Sequence, residues 1–573
     1  MRTKLISIFL ILVFVCGGFP LSLEVLAATR EPVRGQHAMV ASQHELASKI
    51  GVEVMKKGGN AVDAAIAVGL ALAVVYPEAG NIGGGGFMLI RTAKGEVRVI
   101  DYREMAPKAA VRDMYVENGE LIKGDGSSTV GYRASGVPGT LAGFEMAFKK
   151  YGSGKVKWRD LVEPSRQLAK NGYVLSYRLA ELFKTYKDTL SLYEDSNRIF
   201  LNNGKYFGEG DVLRQPELEQ TLDRIAKNGA AEFYTGVTAM LIADDMKSHR
   251  GLITTDDLKN YRAVERQPLR GSYRGHEIIS LPPPSSGGMV MLQVLNILEG
   301  YDIRGMQSNS AAKYHVLTEA MRRAFADRSE FMGDPDFSSI PIDLLIDKKY
   351  ADKRRSSIDL KRASNSKEIG HGEISGSEPT DTTHFTVVDS AGNVVTNTYT
   401  INDLYGSRVT IKGTGILMND EMDDFASQPG KPNLYGLIQG ERNSIKSGKR
   451  PLSSMTPTIV LRKDGSFWFA LGGRGGPRII SAVLQTVINV IDHDMDIKAA
   501  IDSPRIHHQW LPDEIIFEPF GLSPDTISIL TGYGHKFVKK PEIGSAATGI
   551  MVDQKGVRLG AVDSRSDGAA VGY

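Results

Sequence analysis

The residues best suited to chemistry lie in Asp381-Thr382-Thr383-His384-Phe385-Thr386-Val387-Val388-Asp389. Before them, residues 354–380 form a polar run rich in Ser, Gly, Lys and Glu. After them, the β-branched and aromatic residues of 385–388 read as a strand. A hydroxyl residue therefore stands where a solvated segment meets a buried sheet. Cutting the Asp381–Thr382 bond would make Thr382 the first residue of a new chain, with a free α-amine beside its own hydroxyl. Such an amine has a pKa of roughly 7.7–8.0, so part of it is neutral and basic at physiological pH. An amide nitrogen has no comparable basicity. One cut would thus join nucleophile and general base in a single residue. Taken alone, a Thr-Thr pair at a strand start is also an ordinary β-former.

The surrounding elements must hold that hydroxyl in place. Strands 385–388 and 394–400 flank an Ala391-Gly392-Asn393 turn, and Thr400 would face Thr382 across the hairpin. A solvent-facing Thr400 is the plain alternative. Upstream, a helical pattern over 43–57 ends at Gly58-Gly59-Asn60, and the Ala-rich stretch 61–75 reads as a buried helix. Asn81-Ile82-Gly83-Gly84-Gly85-Gly86-Phe87 opens a strand, not a helix, and no Lys-Ser/Thr follows. Close backbone packing therefore explains it better than a phosphate cradle. Strands 87–92 and 97–103 form a hairpin ending in Asp101-Tyr102-Arg103-Glu104-Met105-Ala106-Pro107, where Arg103 alone would read as a surface ion pair.

Residues 140–275 read mainly as helices, among them 141–151, 158–171 and 218–228. Leu281-Pro282-Pro283-Pro284-Ser285-Ser286-Gly287-Gly288 precedes an apolar helix over 289–298 and lacks the G-x-S-x-G elbow, so turn and capping chemistry accounts for it. A further helix covers 311–327. A hairpin over 457–471 turns at Asp464-Gly465 and leads into Gly472-Gly473-Arg474-Gly475-Gly476-Pro477-Arg478 before a helix over 480–491. Consecutive backbone N–H groups near a helix start can hold a developing oxyanion. The last strands, 550–553 and 556–561, complete a sheet.

Composition bounds the rest. The chain has 573 residues, 42% of them hydrophobic, enough for a large core. Its formal net charge of +2 gives no nucleic-acid footprint. Arg2 and Lys4, the apolar run 5–15 and Val25-Leu26-Ala27 read as a secretory leader covering residues 1–27, which predicts a periplasmic or secreted protein with no stable membrane anchor. Cys16, the single cysteine, would leave with it, so no disulfides are expected. His507-His508 has no metal-ligand spacing, and the acidic run Asn419-Asp420-Glu421-Met422-Asp423-Asp424-Phe425 lacks the EF-hand pattern. No cofactor or metal is expected.

The entry from Thr382 through His384 into a strand, the glycine run, the Asp-Tyr-Arg-Glu-Met-Ala-Pro string and the Met-Asp-Asp-Phe motif resemble the γ-glutamyltranspeptidases, members of the N-terminal-nucleophile hydrolases. The resemblance spans nearly the whole chain after the leader. It implies an α+β fold, a four-layer αββα sandwich. It also implies self-cleavage at Asp381–Thr382 into a large subunit, 28–381, and a small catalytic one, 382–573, which stay interlocked as a heterodimer. Thr382 would be the nucleophile, Thr400 its support, and Gly475 and Gly476 the oxyanion pair. Arg103, Ser453 and Ser454 would hold a substrate α-carboxylate, while Asn402, Glu421 and Asp424 would hold its α-ammonium. The Gly/Pro/Asn-rich loop 429–443, with Tyr435, looks like the family's lid.

The implied substrates are glutathione and other γ-glutamyl compounds, with water, amino acids or peptides as acceptors. Two departures appear: Glu421 replaces a Gln, and Gly473-Arg474 replaces a Ser-Pro, found in some members. A cephalosporin- or glutaryl-type acylase and a poly-γ-glutamate depolymerase share the implied fold and are alternatives. A secreted binding protein with a structural Thr382 is a third.

Overall fold

The computed structural model describes residues 29–370, 382–433, 436–541 and 543–573. The expected leader, Asp381 and Tyr435 lie outside these. Two seven-stranded sheets make the centre. In one, the order is Val33–Gly35, Arg558–Val562, Ala546–Val552, Phe467–Arg474, Thr458–Leu461, His276–Ser280, Leu269–Tyr273. In the other it is Ala569–Gly572, Met39–Ser42, Thr383–Val388, Val394–Thr400, Gly85–Arg91, Val97–Asp101, Val264–Arg266. Every pairing within both sheets is antiparallel.

Alternation along the strands builds three apolar layers. Met39, Phe87, Leu89, Val388, Val394, Ile459, Ala470 and Ile550 fill the space between the sheets. The opposite face of the second sheet, with Phe385, Val387, Val395 and Tyr399, packs on the helices Glu45–Lys56, Ala61–Val75 and Thr140–Tyr151. The outer face of the first, with Ile278, Val460, Phe469 and Leu471, packs on Gly287–Leu298, Ala311–Phe331 and Arg478–His493. Helix, sheet, sheet, helix is the expected four-layer αββα sandwich. Ala61–Val75 is buried at all its positions, so an all-round apolar sequence suits it. Asn60 closes its start with a capping box to Asp63.

The stretch 140–275 is less uniformly helical than its sequence suggests, because Val264–Arg266 and Leu269–Tyr273 extend the two sheets at their edges. Arg270 and Glu277 pair across the outer edge, which is how an edge strand carries charge without losing its ladder. The glycine run is packing, as expected. A Cβ at Gly84 would stand 2.0 Å from the Thr400 carbonyl oxygen, and one at Gly85 2.4 Å from that of Tyr102.

Both sheets interleave early and late chain. Met39–Ser42 pairs with Thr383–Val388, Gly85–Arg91 with Val394–Thr400, and His276–Ser280 with Thr458–Leu461. The described segments on either side of residues 371–381 therefore share one pair of sheets rather than forming separate domains.

Candidate active site

Thr382 immediately precedes Thr383–Val388 and is 4% exposed. The register pairs Thr383 with Tyr399, so one further step sets Thr382 opposite Thr400. Alternation then puts Thr382, His384 and Thr386 on the inter-sheet face together with Thr396, Thr398 and Thr400. His384 bonds Thr398 Oγ1 at 2.8 Å through Nδ1, and Thr386 and Thr396 Oγ1 at 3.1 Å each through Nε2. Burial lowers its pKa to about 3, which makes it a neutral spacer rather than a proton carrier. Thr400 Oγ1 accepts the Asn402 N–H at 2.8 Å. Asn402, in the left-handed region at φ +77°, sends its amide to the Asp420 carbonyl at 3.0 Å.

A small cavity of about 20 Å³ joins Thr382 to Thr400, Asn402, Arg103, Glu421, Asp424, Ser453, Ser454, Met455, Gly476 and Ile479. That is room for about one water. Arg103 is fully buried, so its reading as a surface pair is corrected. Its Nη1 donates to Glu421 and its Nη2 to Asp424, while Nε reaches the Pro451 carbonyl at 3.3 Å. Glu104 lies 3.5 Å from Nη1. Burial opposes the guanidinium charge, but the three acids outweigh it and hold Arg103 above its ordinary pKa. The same burial raises Glu421 and Asp424 against the pull of Arg103 and brings Glu104 up to about 7.

The acidic turn is a short 3-10 helix, Glu421–Asp424, held from three directions. Asn419 accepts the Glu421 and Gly136 N–H groups at 3.0 and 2.8 Å and donates to the Gly83 and Gly136 carbonyls at 2.8 Å each. Asn443 donates to the Asp424 carbonyl at 2.7 Å and accepts the Leu452 N–H at 3.0 Å. Gln439 adds a bond to the Asp424 carbonyl at 3.2 Å. The loop expected to be a lid is thus tied to both the acidic turn and the backbone before the serine pair.

Ser453 Oγ accepts the Met455 N–H at 3.1 Å, and the Ser453 carbonyl receives both the Ser286 N–H and its hydroxyl at 2.8 Å each. The proline–serine–glycine segment is therefore structural, as its sequence implied, but it is structural for the site. Gly475 and Gly476 follow Phe467–Arg474 at φ +121° and +53° and lead into Arg478–His493. Gly476 lines the cavity, whereas Gly475 is outside its lining. A Cβ at Gly475 would meet the Gly544 oxygen at 2.3 Å, so glycine is required there. Motif reasoning passed over Glu104 and Arg328. Each is charged and sequence alone reads it as surface, yet both are buried behind the cavity. Among the described residues, no group of three His, Cys, Asp or Glu side chains is arranged to hold a metal.

The sandwich, with a hydroxyl, a guanidinium and several carboxylates gathered at one end, defines an enzyme of the N-terminal-nucleophile hydrolase class. The family model for Gamma-glutamyltranspeptidase matches residues 47–573. A glutathione hydrolase proenzyme of Escherichia coli (strain K12) is 46% identical over 97% of this chain and 95% of its own length. An acylase ACY 1 proenzyme of a Pseudomonas species (strain SE83) is 37% identical over 95% and 94%. Among solved structures, a cephalosporin acylase from Bacillus halodurans superposes with a TM-score of 0.83 at 26% identity, covering 98% of this chain and 99% of that one. The γ-glutamyltranspeptidase of Helicobacter pylori gives 0.56 at 43% identity, over 60% and 96%. The chain belongs to the γ-glutamyltranspeptidase family and is an enzyme.

Proposed function

We propose that this chain is a proenzyme that cuts itself between Asp381 and Thr382 and then acts as a γ-glutamyltransferase and glutathione hydrolase. The observation that carries the reading is the meeting of Thr382 with Arg103, Asn402, Glu421, Asp424, Ser453 and Ser454 on one cavity. In maturation, the Thr382 hydroxyl oxygen attacks the Asp381 carbonyl carbon. The C–N bond breaks and the nitrogen becomes an α-amine. Water then cleaves the resulting ester, releasing the Asp381 carboxylate and restoring the hydroxyl. In turnover, the α-amine takes the hydroxyl proton as the oxygen bonds to the γ-carbonyl carbon of the donor. The N–H groups of Gly475 and Gly476 hold the oxyanion. Collapse breaks the donor's C–N bond, the leaving amine receives the proton, and the γ-glutamyl group stays on Thr382 as an ester. Water or the amine of an amino acid or peptide then takes it.

Substrate choice follows from opposite charges on one carbon. Arg103 can fork onto both carboxylate oxygens, with Ser453 and Ser454 as further donors, while Asp424, Glu421 and Asn402 receive the ammonium. In the small cavity Arg103 pairs with Glu421 and Asp424. A zwitterion entering it exchanges internal ion pairs for its own, so neither buried charge is left alone. Tyr435 and the loop around it would cover the bound donor. The leader-like start supports export to the periplasm or medium, and no described helix is long and apolar enough to cross a membrane.

Thr382→Ala should give a single uncut, inactive chain, and Thr382→Ser one that cuts and turns over. If the alanine variant still runs as two chains on a denaturing gel, the maturation scheme is wrong. The acylase reading makes the opposite donor prediction. Glutaryl-p-nitroanilide, which lacks the amine, would then be cleaved in preference to γ-glutamyl-p-nitroanilide.

A further inference from the structure

Behind the serine pair stands a cation that the scheme above does not use. Arg328, near the end of Ala311–Phe331, is 2% exposed. Its Nε donates to Ser286 Oγ at 2.8 Å and its Nη2 to Ser454 Oγ at 3.3 Å. Among the described residues no carboxylate lies within ion-pairing distance of it; Asp424 acts on it from farther away. Burial lowers its pKa to about 10, with Asp424 opposing, so it remains charged at neutral pH. A buried guanidinium bonded only to neutral hydroxyls is a costly arrangement. It becomes intelligible if an anion arrives on the other side of those hydroxyls.

A serine hydroxyl carries one hydrogen and two lone pairs. On Ser453 a lone pair is taken by the Met455 N–H, and on Ser454 by Arg328. Because Arg328 can only donate, the Ser454 hydrogen must turn away from it. Ser454 is partly open and lines the same cavity as Thr382, so its hydrogen is available to an incoming acceptor. Ser286 couples the two halves of this device, accepting from Arg328 while its own hydroxyl and N–H hold the Ser453 carbonyl.

We infer that Arg328 is a specificity-determining positioning residue, which fixes Ser454 as a hydrogen-bond donor and adds a second positive charge behind the site for the α-carboxylate of the donor substrate. The inference rests on the reading of Ser453 and Ser454 as the carboxylate pair. It assigns Arg328 no contact with the reacting atoms. Its effect should appear in binding of carboxylate-bearing donors and spare donors without that group.

Three p-nitroanilides separate the possibilities: γ-glutamyl, with both charges; glutaryl, with the carboxylate alone; and 4-aminobutyryl, with the amine alone. In purified, processed enzyme, Arg328→Met should raise KM for the first two by about tenfold or more, the scale of one lost charged hydrogen bond. It should change kcat much less and leave kcat/KM for the 4-aminobutyryl donor within about twofold of the parent. Arg328→Lys, which keeps the charge but not the fork, should recover part of the loss. Equal slowing with all three donors, or a loss confined to kcat, would overturn the inference. If Arg328→Met does not mature, Arg328→Lys carries the same comparison, and equal slowing of the three donors by that variant is equally fatal. Ser454→Ala tests the underlying reading. Should it leave KM for the carboxylate donors unchanged, the serine-pair assignment falls. Should it raise KM while both Arg328 variants do not, the role of Arg328 alone falls.

Discussion

Replacing Asp424 with Asn removes one of the two carboxylates that accept hydrogen bonds from Arg103, at almost unchanged volume. If Asp424 receives the donor's ammonium, the substitution turns a charge-assisted hydrogen bond into a neutral one. Hydrogen bonds to charged groups contribute roughly 1.5–3 kcal/mol. That range corresponds to a fall of about 10- to 150-fold in kcat/KM for γ-glutamyl-p-nitroanilide, at 1.4 kcal/mol per factor of ten. The lower half of the range is expected, because in the parent the ammonium must displace Arg103 from Asp424. Glutaryl-p-nitroanilide has no ammonium and binds through its carboxylate, and Arg103 loses a competing partner in the variant. Its kcat/KM should therefore hold or rise. The assay is initial-rate release of p-nitroaniline by processed enzyme, with the two chains confirmed on a denaturing gel. A common fall for both donors would refute the assignment of Asp424 to the amine.

Gly475→Ala would set a Cβ 2.3 Å from the Gly544 oxygen at a backbone angle of φ +121°. Displacing an oxyanion N–H should cost about 10²–10³ in kcat with KM little changed, and a variant with parental kcat removes this loop from the chemistry. Burial raises the Glu104 carboxyl from 4.5 to about 7 against the attraction of Arg103. The folded state thus keeps a proton that the unfolded chain releases, a stabilisation complete below pH 4.5 and lost as pH rises through about 7. Glu104→Gln, neutral throughout, should flatten the decline in denaturation midpoint between pH 5 and 8, and an unchanged decline places the titrating group elsewhere. After maturation the two chains should co-purify without denaturant and part only as the enzyme unfolds, because strands from both are hydrogen-bonded to one another within each sheet. Separation on a native sizing column would contradict that interleaving.

Much of the scaffold was legible because its elements obey strong local rules. Ala61–Val75 has an N-cap and, after the capping Asp63, an unbroken apolar run, and Val394–Thr400 has β-branched alternation after a Gly-Asn turn. Leu269–Tyr273 and His276–Ser280 were harder. They are five residues each, carry Arg270, His276 and Glu277, and follow a long helical region. The two pair with each other locally, but what ties the hairpin into the sheet is a strand nearly two hundred residues later, which no local window contains. The site divides in the same way. Spacing and chemistry nominate Thr382 and its hairpin mate Thr400 but leave each an ordinary strand reading, and the family likeness both decides for them and supplies Arg103, Asn402, Asp424 and the serines. Neither could show that Glu104 and Arg328 are buried. A charge in a polar stretch reads as solvated until the tertiary fold closes over it. The internal pairing of Arg103 with Glu421 and Asp424 is likewise a product of tertiary folding.

In the proposed scheme, the placement of Thr382 lets one hydroxyl serve both the cut and the turnover. Thr383 onward is locked to Tyr399 and the residues before it on one side, and Thr386 to Ala41 on the other, so the ladder holds the strand that begins next to Thr382. The proposed scission would then change the chemistry of the Thr382 nitrogen with little demand on the position of its oxygen. The glycines at 475 and 476 leave a strand of the opposite sheet. Their distance from Thr382 is therefore set by how closely the two sheets approach. His384 stands at that contact: a Cβ on Gly472 would lie 2.3 Å from its ring. With both ring nitrogens held by threonines and its charge suppressed, His384 sets the separation without entering the proton chemistry. The proposed nucleophile and oxyanion donors are thus positioned by two rigid sheets, the kind of support that a preorganised transition-state site requires.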